Sequence, residues 1–226
     1  MFTSCCFIGS SVGAQCRSTV QLRQWQFSRD SLHWQSVTIP HDWAISGPFD
    51  KKWDLQNVAI TQNGEHKASE KSGRSGALPW IGEGWYRTVV RPDGCYSHYE
   101  LKFDGAMSEP TVYINGRYVG YWAYGYNAFK IDADELKPDT DNEVMVHLQN
   151  KEESSRWYPG AGLYRPVSLE CMGSVSLDDW GWTVRTIEAD SLQAHIRVSA
   201  TARHIAPNKR ENYGVEFSII HPEGWI

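Results

Sequence analysis

The sequence predicts an all-β protein built as an antiparallel sandwich. Three observations carry that prediction. Tyr99, Leu101 and Phe103 alternate with Glu100 and Lys102, and Val144, Val146 and Leu148 alternate with Glu143, Met145 and His147. Period-two alternation marks a strand with one face in the core and the other in water. Val112-Tyr113-Ile114 runs through Asn115-Gly116 into Arg117-Tyr118-Val119. Asn-Gly between two apolar β stretches marks a tight hairpin, because both turn residues must accept positive φ. Finally, no segment of useful length carries a helical stripe, and short strands punctuated by Gly, Pro, Asn and Asp belong to sandwiches.

Taken in order, residues 1–20 read as a leader or signal-peptide remnant. Cys5 to Ala14 is mostly small or apolar, and Val12-Gly13-Ala14 before Gln15 has the small-residue pattern that precedes signal cleavage, although no positive residue stands ahead of it. Export, to a periplasm or the medium, is the expectation. Residues 21–172 form the first domain. Within it, Asp50 to Trp80 is polar and shows little alternation, and loops of that length are functional or mobile. Its glycine-rich end, from Arg74 to Gly82, leads into a strand predicted over Trp85–Val90.

A boundary falls near Met172-Gly173, and residues 173–226 form a second domain. There Ala194, Ile196, Val198 and Ala200 alternate with polar residues, Val215, Phe217 and Ile219 do the same, and Trp182-Thr183-Val184 suggests a further strand. An immunoglobulin-like sandwich needs about seven strands in about 100 residues. The second domain is therefore expected to be truncated. Unpaired edges and an open apolar face are an aggregation liability, so the chain is expected to be the N-terminal portion of a longer protein.

Composition narrows the function. The 226 residues are 41% hydrophobic and 22% charged, enough for a sizeable core in one or two domains. A net charge of −5 supplies no basic face for nucleic acid. No apolar run is long enough to cross a bilayer. Of the five cysteines, Cys5 and Cys6 would leave with the leader. Cys16, Cys95 and Cys171 form neither a disulfide framework nor a metal spacing, and Cys95 and Cys171 are expected to be small buried hydrophobes. No cofactor and no metal site is expected. The 11 Trp and 11 Tyr fill cores in large β proteins, and some can instead form platforms for the apolar faces of sugars.

The stretch Ser154-Ser155-Arg156-Trp157-Tyr158-Pro159-Gly160-Ala161-Gly162-Leu163-Tyr164-Arg165-Pro166-Val167 packs charge, bulky aromatics, proline and glycine into one loop ahead of a strand pattern. Glycine opens backbone conformations closed to other residues, and proline stiffens the turn. Such a loop can aim Arg156 and Trp157 in fixed directions, as recognition of a polar, ring-shaped ligand requires.

Seven pieces in one order resemble the start of a glycoside hydrolase family 2 enzyme, most similar to the β-galactosidases of that family. They are Trp25-Gln26-Phe27; Val37 to Ile45 with Gly47-Pro48-Phe49-Asp50; Gly84-Trp85-Tyr86-Arg87; Phe103 to Ser108; Val112 to Gly116; Tyr124 to Phe129; and the Ser154–Val167 loop. The resemblance is dense over residues 21–172 and continues thinly through Trp180-Gly181. It implies a jelly-roll, galactose-binding-like first domain, an immunoglobulin-like second domain, and a third domain, a barrel, that carries the chemistry. It implies retaining hydrolysis by two barrel glutamates about 5 Å apart. Nothing here matches those segments. Glu152 and Glu153 are neighbours in sequence, which does not give two opposed roles. No catalytic residue is therefore expected in this chain.

The resemblance also implies that the loop supplies a sugar-contacting carboxylate at the slot occupied here by Arg156 or, with a one-residue shift, Ser155. Neither is acidic, so the monovalent-metal site of some relatives is not expected. Arg156 can instead donate to hydroxyls or pair with a barrel carboxylate. The candidate substrate-binding residues are Arg156, Ser155, Trp157, Trp80 and Arg74, and Arg156 and Trp157 serve equally well as clamps on a domain joint. His41-Asp42-Trp43 is no triad; Asp42 is expected to accept backbone N–H bonds in a turn and Trp43 to lie in the core. The implied partners are a β-galactoside and the chain's own missing C-terminal barrel, with a homo-oligomer left open for the full-length form. The alternatives are a stand-alone carbohydrate-binding sandwich, a β-glucuronidase or β-mannosidase of the same family, and a structural sandwich without a sugar site.

Overall fold

Strand follows strand along the chain, and the alternation in the sequence decides which side chains each one buries. The computed structural model describes residues 5–8, 17–46, 49–50, 66, 82–151, 158–204, 214–217, 220–221 and 224–225. Among them there is no helix. The strands are β1 (Cys5–Ile8), β2 (Arg17–Gln21), β3 (Gln24–Ser28), β4 (Gln35–Thr38), β5 (Gly82–Val90), β6 (His98–Phe103), β7 (Thr111–Ile114), β8 (Arg117–Tyr121), β9 (Phe129–Asp132), β10 (Asn142–Asn150), β11 (Val167–Met172), β12 (Val175–Ala189), β13 (Ala194–His204), β14 (Gly214–Phe217), β15 (Ile220–His221) and β16 (Gly224–Trp225). They divide between two units, one of residues 19–94 and 99–170, the other of residues 1–18, 95–98 and 171–226.

The first unit is the sandwich. One sheet runs β4-β3-β5-β10-β7-β8 and the other β2-β11-β6-β9. β10 pairs antiparallel with β5 along its whole length, from Asn142↔Val90 to Asn150↔Gly82. Its burial alternates without a break, Val144, Val146 and Leu148 inside and the residues between them half-exposed. Across from them lie Tyr99, Leu101, Phe103, Phe129 and Leu169 of the second sheet, all buried. Phe103 stacks on Phe129 at 4.7 Å between ring centres. The β7–β8 hairpin closes where the sequence places it: Ile114 pairs with Arg117, and Asn115 and Gly116 hold φ of 50° and 78°.

Two expectations are corrected in the strands around β6. Glu100, placed by alternation on a face in water, is buried at 7% exposure. The reason is a partner: Lys130 on the paired strand β9 reaches its carboxylate at 2.7 Å, and both side chains are nearly buried together. β11 is likewise buried at every position, with Glu170 accepting from Thr19 at 3.3 Å. A buried charge survives only with such partners. Cys95 is exposed, not buried, because it falls in the turn ahead of β6; Cys171 is buried as expected.

The second unit is built on the antiparallel ribbon of β12 and β13, whose pairing shifts register between Leu177 and Trp182 and again between Thr186 and Glu188. Its turn is held by Asp190, whose carboxylate accepts from the N–H groups of Leu192 and Gln193 at 2.7 and 2.8 Å. Those two bonds hold the Asp190 carboxyl below the usual carboxylate range. The ribbon differs from the alternation read in the sequence. Trp182, Val184 and Ile196 stand about half exposed, so neither face is a core face within the described residues. Arg17 pairs with Asp179, and Arg203 with Asp178 at 2.9 Å. Backbone pairing also joins β1 to β14.

The sandwich core makes the first testable prediction. Leu101 is fully buried and Val89, on the outer face of β5, is 64% exposed. Leu101→Ala should cost about 3 kcal/mol of unfolding free energy, and Val89→Ala no more than about 0.5 kcal/mol, as read by urea denaturation.

Candidate functional site: an anchored loop root

Glycine decides the local path of the chain from Tyr158 to Arg165. Gly160 and Gly162 hold φ of 88° and 107°, which side-chain-bearing residues rarely adopt. A Cβ at Gly162 would collide with the Tyr86 hydroxyl and the His41 carbonyl. Freed of that clash, residues 161–163 run between two backbone segments. On one side His41 N–H donates to Leu163 O at 2.8 Å and Trp43 N–H to Ala161 O at 3.1 Å. On the other, Met107 and Gly162 exchange N–H···O bonds of 2.9 and 2.7 Å.

Beneath this ladder is an aromatic floor. Phe27 stacks on Trp43 at 5.7 Å and leans on Tyr86 at 4.9 Å, while Trp25 meets Tyr86 edge-on. Gly84 leaves room for the Trp43 indole, which any Cβ there would strike. The Tyr86 hydroxyl lies 2.7 Å from His41 Nδ1 and 3.4 Å from His41 O, to which it can donate. Burial raises the Tyr86 phenol and lowers the His41 imidazolium, so both stay neutral near pH 7.

Asp42 is the pivot. Its Oδ1 accepts from Ala44 N–H at 2.9 Å, the expected turn bond, and its Oδ2 accepts from the Tyr158 hydroxyl at 2.5 Å. Burial, then the Asp42 bond and charge, hold the Tyr158 phenol well above its ordinary value. Two more contacts fix the same root. Asn150 Nδ2 donates to Gly160 O at 3.1 Å, and the Lys151 ammonium pairs with Glu109 at 2.7 Å. Asn150 Oδ1 is the one buried side-chain acceptor without a partner among the described residues. Downstream, Tyr164 donates to Gly125 O at 2.9 Å, and Arg165 donates to Asp104 O and Tyr126 O at 3.2 Å.

The segments that the sequence singles out separately thus converge: His41-Asp42-Trp43, Tyr86, Asp104 to Met107, Tyr124 to Tyr126, and Tyr158 to Arg165. Ser155, Arg156, Trp157, Trp80 and Arg74, the predicted sugar-contacting residues, lie outside the described residues. The reading of Asp42 as a turn acceptor and of Trp43 as core holds, with Trp43 3% exposed. Sequence reasoning missed the Tyr158–Asp42 bond and the roles of Tyr86 and Asn150. Tyr86 had a signal, since period two on β5 points it inward with Gly84. Chemically the site is spent on itself. Both Asp42 oxygens are occupied and the His41 ring faces a phenol, so these groups form no nucleophile–base pair.

What fold and site define is a β-sandwich module in which residues 158–165 are held by a backbone ladder over an aromatic floor. No family model matches the chain. A β-galactosidase of Bacteroides ovatus is 34% identical over 195 residues, covering 84% of this chain and 21% of that protein. A protein of Formosa agariphila that carries the provisional name β-glucuronidase is 31% identical over 150 residues, covering 63% and 13%. The chain therefore spans about a fifth or less of the length of these relatives. The solved structure of a glycosyl hydrolase family 2 member from Bacteroides cellulosilyticus superposes with a TM-score of 0.65 at 22% identity, covering 89% of this chain and 30% of that one, and shows the fold. In sequence the chain is similar to a β-galactosidase, and in fold to a glycosyl hydrolase family 2 member.

Three outcomes test the root. Gly162→Ala should lose about 2 kcal/mol or more, since overpacking adds to the backbone cost; thermal or urea unfolding reads it. Tyr158→Phe removes a bond to a carboxylate and should cost about 2 kcal/mol in the same assay. For pH, His41 titrates below its ordinary 6.5 in the fold, so the unfolded chain binds the extra proton first. The His41 contribution is therefore complete above pH 6.5 and is lost as pH falls below it. The stability difference between about pH 7.5 and about pH 5.5 should shrink in His41→Gln.

Proposed function

We propose that this chain is a non-catalytic portion of a β-galactosidase-like retaining hydrolase of terminal β-galactosides, and that residues 155–157 form part of the rim of its sugar pocket. The observation that supports the reading is the double anchorage of the segment's flanks: Asn150 and Lys151 on one side, Tyr158 held by Asp42 on the other. A loop whose ends are fixed before ligand arrives loses little further freedom on binding, which is how preorganisation raises affinity. Arg156 supplies a fork of donors for sugar hydroxyls, and Trp157 a face for the C–H side of a ring. The proton-transfer chemistry falls to two carboxyls outside this chain.

The test is turnover of a chromogenic β-galactoside. The 226-residue chain alone should show none. In the full-length protein, Arg156→Ala or Trp157→Ala should raise KM about tenfold, equivalent to about 1.4 kcal/mol, with a smaller change in kcat. Hydrolysis by the isolated chain would overturn the placement of the carboxyls. Preference of the full-length protein for a β-glucuronide would replace the substrate, in line with the name of the Formosa relative.

A further inference from the structure

We propose that the solvent face of the six-stranded sheet is a binding face for a neutral carbohydrate chain. The strand registers place six residues side by side in one rung that crosses every strand of the sheet: Ser36, Gln26, Arg87, Met145, Tyr113 and Tyr118. Residues paired directly across strands share a face. Five strand spacings make this rung about 24 Å long, the scale of an oligosaccharide and not of a single ring.

The rung is preorganised. Arg87 Nε donates to Gln26 Oε1 at 2.7 Å, and its guanidinium lies 4.1 Å from the centre of the Trp34 ring. Stacking and a hydrogen bond together fix a side chain that is otherwise costly to order. At the far end Tyr113 meets Tyr118 edge to face, their centres 6.2 Å apart, and Tyr118 remains 57% exposed. The neighbouring rung adds Trp85 stacked on His147 at 4.0 Å, with Glu83 3.1 Å from the imidazole. Beside Arg87 the face dips into an open cavity of about 400 Å³ bordered by Gln24, Gln26, Ser36 and Glu143 and by the apolar Trp25 and Val89.

The chemistry selects the occupant. A sugar ring shows alternating hydroxyls along its edge and C–H groups on its face. Amide, hydroxyl and guanidinium groups donate to and accept from the first, and fixed aromatic rings cover the second. Charges of both signs, Arg87 against Glu83 and Glu143, favour no net charge on the ligand. The centre of the face is polar, with Val89 and Met145 its aliphatic members, whereas the centre of a protein–protein contact is depleted of charge. The ligand class rests on the proposed carbohydrate function; the location does not.

Calorimetry of the full chain against a soluble β-1,4-linked galacto-oligosaccharide tests it, with polygalacturonate as the charged counterpart. Binding to the neutral probe is expected to weaken at least tenfold in both Arg87→Ala and Tyr118→Ala, while Leu192→Ala, on the exposed ribbon turn, keeps the wild-type affinity. Circular dichroism checks that each variant is folded, and Gln26→Ala provides a second, milder loss from an exposed position. Absence of binding overturns the proposal, as does binding that these variants leave intact. Preference for polygalacturonate overturns the neutral ligand. Self-association that Tyr118→Ala abolishes assigns the face to a second copy of the chain and overturns it. Binding lost in Trp157→Ala but kept in Arg87→Ala would move the sugar to the loop, leaving the proposed function standing and this inference refuted.

Discussion

The narrow passage of residues 160–163 between the His41–Trp43 segment and Met107 is the constraint on which the loop root depends. A chain can enter so tight a slot only without a side chain at Gly162, where the Tyr86 hydroxyl already stands. Once inside, its peptide groups have no water to bond and must use the ladder on both sides. The ladder in turn needs a floor at a fixed height, which Phe27, Trp43 and Tyr86 provide by stacking. Backbone satisfaction, glycine and aromatic packing are therefore one requirement met three ways, and removing any of them exposes the others.

The polar groups of the root follow the same logic. Tyr86, Tyr158 and His41 sit close together, yet ionisation is opposed at each. Burial opposes phenolate at both tyrosines and imidazolium at His41, and the Asp42 charge opposes phenolate further. A general acid or base must instead gain or lose a proton near the working pH. The cluster is thus an anchor, and its rigidity is what it offers to the segment it roots. Tyr86, Tyr158 and His41 are held neutral near pH 7, as an anchor needs.

Features set by near neighbours in sequence were legible before the structure. Asn115-Gly116 closes its hairpin because the turn's φ angles are a property of those two residues alone. β10 alternates because one side of one strand faces one core. The misreading of Cys95 is local, a turn taken for core; the others turn on groups distant in sequence. Glu100 is buried because Lys130 lies across the strand pair, and nothing within a few residues of Glu100 announces it. Tyr158 and Asp42 are 116 positions apart. Ile196 and Val184 alternate as core residues do, but alternation reports only that a face is apolar, and says nothing of whether another layer covers it. Of the site, the loop and the His41-Asp42-Trp43 piece were visible as separate motifs; that they share one ladder was not.

Strand β5 ties the two faces of the large sheet together. Gly84 and Tyr86 point inward, one making space for Trp43 and the other holding the loop return. Trp85 and Arg87 point outward, into the aromatic and polar rungs. A slip of one residue in its pairing with β10 would exchange these sets, placing a guanidinium under the loop and a phenol in water. The unbroken register from Gly82 to Val90 forbids that exchange. The short motif Gly84-Trp85-Tyr86-Arg87 therefore serves two surfaces at once. Selection on either surface constrains the other, because a strand offers its side chains to both sides in strict turn.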